Sequence, residues 1–121
     1  MSMSTNDAVV IVSVARTPIG AMMGELSGFA AHQLGAHVIR AAVARAGVSP
    51  EAVGEVIMGC VLPAGQGQAP ARQATLGAGL PQSAGATTIN KVCGSGMKAA
   101  MFAHDLLAIG SQDVVVAGGM E

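Results

Sequence analysis

Four short apolar runs rich in β-branched residues, separated by segments of helical character, leave this chain few folds to choose from. The runs are Ala8–Ala15, Glu55–Val61, Ala86–Ile89 and Asp113–Ala117. The first and last are continuous rather than alternating, as in strands buried on both faces of a parallel sheet. Between the runs, Leu34, Val38, Ile39, Ala42 and Ala46 recur at helical spacing in Ala31–Ala46, and Gly47 supplies the stop. Ser49-Pro50-Glu51 opens one further turn, and Pro70 begins a helix to about Ala78 that Pro81 closes. Met97–Ile109 is rich in helix formers and is followed by Gly110 as a cap. The order β-α-β-α-β-α-β predicts an α/β fold, a mostly parallel sheet with helices on its faces and right-handed crossovers. A chain of 121 residues makes one domain, yet three helices hardly cover both faces of four strands, so the fold is expected to be incomplete.

Within that pattern one residue carries chemistry. In Asn90-Lys91-Val92-Cys93-Gly94-Ser95-Gly96-Met97-Lys98-Ala99, Cys93 sits where the third run gives way to a small-residue helix. Unpaired N–H groups and the macrodipole at a helix N-terminus favour thiolate over thiol, and reactive groups of open α/β sheets gather beyond the carboxyl ends of the strands. Cys93 is therefore the candidate nucleophile, set against the reading that free cysteines are mostly buried and inert. Cys60, at the end of Val56-Ile57-Met58-Gly59, reads as a core or strand-end residue. A second function fits the same segment, because Gly94-x-Gly96-x-x-Ala99 loosely matches a dinucleotide-binding fingerprint. That reading needs an acidic residue after the next strand, where Glu121 stands beyond Gly118-Gly119-Met120.

Composition narrows the partners. Only 11% of residues are charged and the net charge is −1, so there is no basic field for nucleic acid. The longest apolar run is far short of a membrane span. Aromatic residues make up 2% against 17 glycines, which calls for a core of small aliphatic side chains with close backbone approach. Mean hydropathy is +0.55, implying surface that another polypeptide covers. The stretch Met1–Asp7 shows no export or organelle signal, and two cysteines fit a reducing compartment, so a cytoplasmic location is expected.

A cysteine nucleophile also needs a base and a second proton carrier. His104 lies eleven residues after Cys93 on the same expected helix, about 16 Å along its axis, and cannot serve. His32 and His37 fall near the start of the first helix, where solvated or satisfied roles are ordinary. No spacing of histidine and cysteine resembles a metal site. The long polar connection Leu62–Pro70 reads either as a flexible surface loop or as a functional arm.

Taken in order, five segments resemble the thiolase family, and within it the acetyl-CoA C-acetyltransferases. They are Val14-Ala15-Arg16-Thr17-Pro18-Ile19-Gly20, Val56-Ile57-Met58-Gly59, Gly65-Gln66-Gly67-Gln68-Ala69-Pro70-Ala71-Arg72-Gln73, the Cys93 segment, and Gly118-Gly119-Met120-Glu121. The resemblance implies that Cys93 accepts an acetyl group as a thioester and that its N–H helps bind the oxyanion. It implies a ping-pong scheme with acetyl-CoA and acetoacetyl-CoA as substrates, no permanently bound cofactor, no metal, and coenzyme A contacts that no residue here can be assigned. It further implies a homodimer or tetramer, with the Gly65–Gln73 loop at the subunit interface and the Ala86–Ile89 strand pairing across it. The Ala69 position usually carries Asn in the family. The match covers only about the first third of a thiolase, so residues 1–121 are expected to be an incomplete N-terminal domain without loop and C-terminal domains. The activating histidine and second cysteine belong to segments beyond the match, to be supplied in cis or in trans, and the chain alone is expected to be inert. β-Ketoacyl synthases share the wider architecture, but the Ala15–Pro18 and Gly65–Gln68 motifs are of the thiolase branch. A non-catalytic interaction module of the same fold is the remaining alternative.

Overall fold

A computed structural model describes residues 7–121; Met1–Asn6, and with them most of the amino-terminal stretch read for a targeting signal, lie outside the described residues. Helix α1 spans Ala31–Ala46 and is stopped by Gly47, whose φ of 68° lets its N–H turn back to the Ala44 carbonyl. A single 3₁₀ turn at Pro50–Ala52 leads into strand β1, Glu55–Gly59. Helix α2 (Pro70–Gly77), strand β2 (Gly85–Ile89), helix α3 (Ser95–Ala108) and strand β3 (Val115–Gly119) follow. Gly110 (φ 75°) ends α3 in a Schellman pattern, with Gly110 N–H bonded to Leu107 O and Ser111 N–H to Leu106 O.

The sheet is parallel throughout, in the order β2-β1-β3. β1 is therefore central, and Val56, Ile57 and Met58 are 0%, 3% and 1% exposed. The chain moves outward from β1 to β2 and then back across β1 to β3. Two right-handed crossovers of opposite direction put α2 and α3 on opposite faces, and α1 packs on α2. Ile39 and Val43 of α1, Ala71 and Ala74 of α2, and Val56, Met58 and Cys60 from the sheet share one core.

The expected first strand does not form. Ala8–Ala15 lies outside any ladder, tied to α1 by the Ser13 hydroxyl on Ala42 O (2.8 Å) and by Arg45 on Val14 O (3.0 Å). A groove of about 510 Å³ separates it from β3, lined by Val9–Ala15 on one side and Val114–Gly119 on the other. The backbone of Ala8–Ala15 enters neither of the two ladders, which join β1 to β2 and to β3 alone. Val10, Ile11, Val12 and Val14 are consequently exposed.

The connection from β1 to α2 is pinned rather than loose. Gln66 Oε1 accepts the Ala31 N–H (2.8 Å), and Gln73 Nε2 donates to Gln66 O (2.9 Å) and Gln68 O (2.7 Å).

Candidate active site

The carboxyl ends of all three strands converge on the start of α3. β1 and β3 remain zipped to their ends, since the Met120 N–H donates to Gly59 O at 2.9 Å, while the Cys60 N–H donates to Ile89 O of β2 at 3.0 Å. α3 lies directly on this edge because side chains are missing there: a Cβ on Gly59 would stand 2.6 Å from Ser95 Cβ, and Gly96 faces Gly118 and Gly119. Gly59 thus sets the height of the helix over the sheet.

Cys93 is exposed and immediately precedes Gly94, the N-cap of α3. The backbone before it is strained, for Val92 takes φ 49°, a left-handed value that costs a β-branched residue about 1–3 kcal/mol. Besides the backbone bonds from Gly94 N–H to Lys91 O and from Ser95 N–H to Val92 O (both 3.1 Å), three side-chain hydrogen bonds hold it. Asn90 Oδ1 accepts the Val92 N–H (2.8 Å), the buried Ser95 hydroxyl donates to Val92 O (2.6 Å), and the same hydroxyl accepts the Lys91 N–H (2.8 Å). Asn90 also donates from Nδ2 to Val61 O at 3.3 Å, joining the exit of β1 to the cysteine loop. On the other flank of that exit, the Glu121 carboxylate accepts the N–H groups of Val61 (3.0 Å) and Leu62 (2.7 Å).

Cys60 is the opposite kind of thiol. It is 1% exposed, its Sγ lies 3.9 Å from Glu121 Oε1, and burial, reinforced by the Glu121 charge, pushes its thiol above the usual range. Its expected place as a strand-end core residue matches its position in the core.

The structure gives Cys93 no histidine partner among the described residues. His104 pairs with Asp105 on the outer surface of α3, Nδ1 to Oδ1 3.2 Å, and His32 lines a shallow groove with Gln73 and Leu76. No group of three or more metal-ligating side chains occurs among the described residues, and none of their helices is long and apolar enough to cross a membrane. Asn90, Ser95 and Glu121 were not picked out as a framework from the sequence. Only Asn90 carried a local signal, as a residue type that bonds its own backbone two positions on.

The thiolase N-terminal domain family matches residues 9–121. The chain belongs to the thiolase family. It is 60% identical over 121 residues to the mitochondrial acetyl-CoA acetyltransferase of Xenopus tropicalis and 57% identical over 121 residues to that of Homo sapiens. In both comparisons all of this chain is covered, but only 29% and 28% of the relative. Among solved structures, the Acat5 thiolase from Ascaris suum in complex with coenzyme A is similar at TM-score 0.88 and 39% identity, over 90% of this chain and 28% of that one. The chain therefore spans less than a third of these thiolases.

Two expectations are corrected. The cytoplasmic location is overturned by relatives named as mitochondrial; a count of two cysteines does not distinguish one reducing compartment from another. The dinucleotide reading is not favoured either, since the acidic residue it required, Glu121, already spends its carboxylate on two backbone amides.

Proposed function

We propose that this chain is the nucleophile-bearing part of an acetyl-CoA acetyltransferase, an incomplete thiolase N-terminal domain in which Cys93 is the acyl acceptor. The observation that carries the reading is an exposed cysteine held at the entrance of α3, in a chain 60% identical over its full length to a named acetyl-CoA acetyltransferase. In the first half-reaction the Cys93 thiolate adds to the carbonyl carbon of acetyl-CoA. The oxyanion collapses, the bond to the coenzyme A sulfur breaks, and an acetyl-thioester remains on Cys93. In the second, the α-carbon of another acetyl-CoA loses a proton, attacks the acetyl carbonyl and expels the Cys93 thiolate, leaving acetoacetyl-CoA. Coenzyme A thioesters are substrates, and no bound cofactor or metal is needed by this scheme. The Cys93 N–H, carried at the positive end of α3, is the group proposed to meet the oxyanion.

The base and the second proton carrier have no candidate beside Cys93, so they are proposed to come from further thiolase segments, in cis or in trans. Exposed apolar side chains on α3 (Met97, Met101, Phe102) and along Val10–Val14 support cover by such segments and assembly as a homo-oligomer. A mitochondrial setting is the one the relatives' names support.

The test is acetoacetyl-CoA thiolysis together with peptide-resolved alkylation of the purified chain. No turnover is expected without a second polypeptide, while Cys93 alkylates well ahead of Cys60 at neutral pH. Turnover by the chain alone would refute the need for added segments. Equal alkylation of the two thiols would refute the nucleophile.

A further inference from the structure

We infer that Asn90 is a positioning residue for Cys93, acting through the left-handed backbone of Val92; the inference rests on Cys93 being the nucleophile. Valine is poorly suited to φ 49°, so the conformation persists only where neighbours over-determine it. Asn90 does this from outside the helix. Its Oδ1 takes the Val92 N–H at 2.8 Å, and its Nδ2 is anchored 3.3 Å from Val61 O at the exit of β1. Ser95 holds the following peptide from within α3, its hydroxyl donating to Val92 O at 2.6 Å. Both ends of the Val92 residue are thus fixed by side chains, and Cys93, next in sequence, is directed by a turn that has no freedom to relax.

The framework extends further. Val61, which receives the Asn90 amide, donates its own N–H to Glu121 at 3.0 Å. The direction of Cys93 is therefore referenced to the ends of β1 and β3 as well as to its own strand, β2. The Asn90 side chain is the one link between the loop after β1 and the cysteine loop among these side-chain bonds, so its two halves have separable roles: the oxygen fixes Val92, and the nitrogen fixes the asparagine.

Two variants and two readouts test this in the 121-residue chain. Asn90→Ala removes both bonds, whereas Asn90→Asp keeps an acceptor for Val92 and loses the donor to Val61. The first readout is amide exchange at Val92. Wild type is expected to be protected, Asn90→Ala to lose protection by about five- to tenfold, and Asn90→Asp to retain most of it. The second is the rate of Cys93 alkylation from pH 6 to 9, with the buried Cys60 as internal reference and circular dichroism to verify the fold. Alkylation is expected to slow by about fivefold in Asn90→Ala, with substantial recovery in Asn90→Asp. Unprotected Val92 in wild type, or equal protection in all three proteins, overturns the positioning role. Loss of Val92 protection in Asn90→Ala with Cys93 alkylating at the wild-type rate overturns the positioning of Cys93, whereas wild-type Cys93 no more reactive than a cysteine in a short peptide overturns the nucleophile reading on which the inference rests. If Asn90→Ala fails to fold, Asn90→Leu, a side chain of similar shape that makes neither bond, replaces it: it is expected to lose Val92 protection and Cys93 reactivity as stated for alanine, and a Leu variant with wild-type values of both overturns the positioning role.

Discussion

Replacing Gly59 by alanine tests whether the glycine at the end of β1 sets the position of α3. A Cβ there stands 2.6 Å from Ser95 Cβ, 2.9 Å from Ser95 C and 3.0 Å from Gly96 N. Non-bonded carbons rest about 3.5–4.0 Å apart, so the first turn of α3 must withdraw by roughly 1 Å. Two of the three obstructing atoms are helix backbone and cannot escape by a rotamer change. Overpacking of this kind costs about 1–3 kcal/mol, and the backbone obstruction places Gly59→Ala at the upper end, about 3 kcal/mol. Urea unfolding followed by circular dichroism should show the midpoint falling with the slope unchanged. The thermal midpoint should drop by roughly 10 °C. Gly28→Ala is the control, because nothing stands within 4 Å of its Cβ, and it should fall within about 0.5 kcal/mol of wild type. The helix that moves carries Ser95, which is bonded to Lys91 and Val92, so Cys93 alkylation should change in Gly59→Ala and not in the control. A Gly59→Ala protein as stable as Gly28→Ala would refute the argument that this contact fixes the helix.

Other outcomes follow from the same structure. Ala69 precedes α2 with φ 46°, a region that asparagine tolerates better than alanine, so Ala69→Asn should gain about 0.5–1 kcal/mol in the same urea assay. Ile39, 1% exposed between α1 and the sheet, should lose about 2–5 kcal/mol on truncation to alanine. The Cys60 thiol is pushed up by burial and then by Glu121, so its contribution is fully present below the ordinary thiol value near about pH 8.5 and is lost as pH rises through the higher folded value. The stability difference between wild type and Cys60→Ala should therefore shrink above that pH, and parallel curves would contradict the assignment.

The helices were legible because each carries its own punctuation: Gly47 after α1, Pro70 opening α2 and Gly110 after α3 all act within one turn of the residues they stop or start. Strands β1, β2 and β3 fell within two residues of expectation for a similar reason, since short buried runs bounded by glycine and polar residues have few alternatives. Ala8–Ala15 has the strongest strand composition of all and still makes no strand. Composition states what a segment can pair with, while the ladder depends on a neighbour lying at the right distance, and α1 rather than β3 holds this run. Val92 was illegible for the opposite reason: its composition argues against the left-handed backbone it adopts. The side-chain bonds from Asn90 and Ser95, which arrive from either side of it, account for that state together with the backbone bonds from Gly94 to Lys91 and from Ser95 to Val92.

These two departures from local preference have different physical consequences. An apolar run without a ladder leaves exposed surface, and several of the exposed large apolar side chains fall there or on the outer face of α3. The high mean hydropathy is in part surface, for large apolar side chains such as Ile11, Val14 and Met97 stand exposed. A strained valine before an exposed cysteine instead stores conformational energy in the one loop where the ends of three strands meet. Its stabilising partners include polar side chains, whereas the helix above it is seated by the absence of a side chain at Gly59. Close backbone approach sets where Cys93 stands, and the asparagine and serine set which way its backbone turns. Substitution at Gly59 should therefore change stability and reactivity together, while substitutions at Asn90 should change reactivity more than stability.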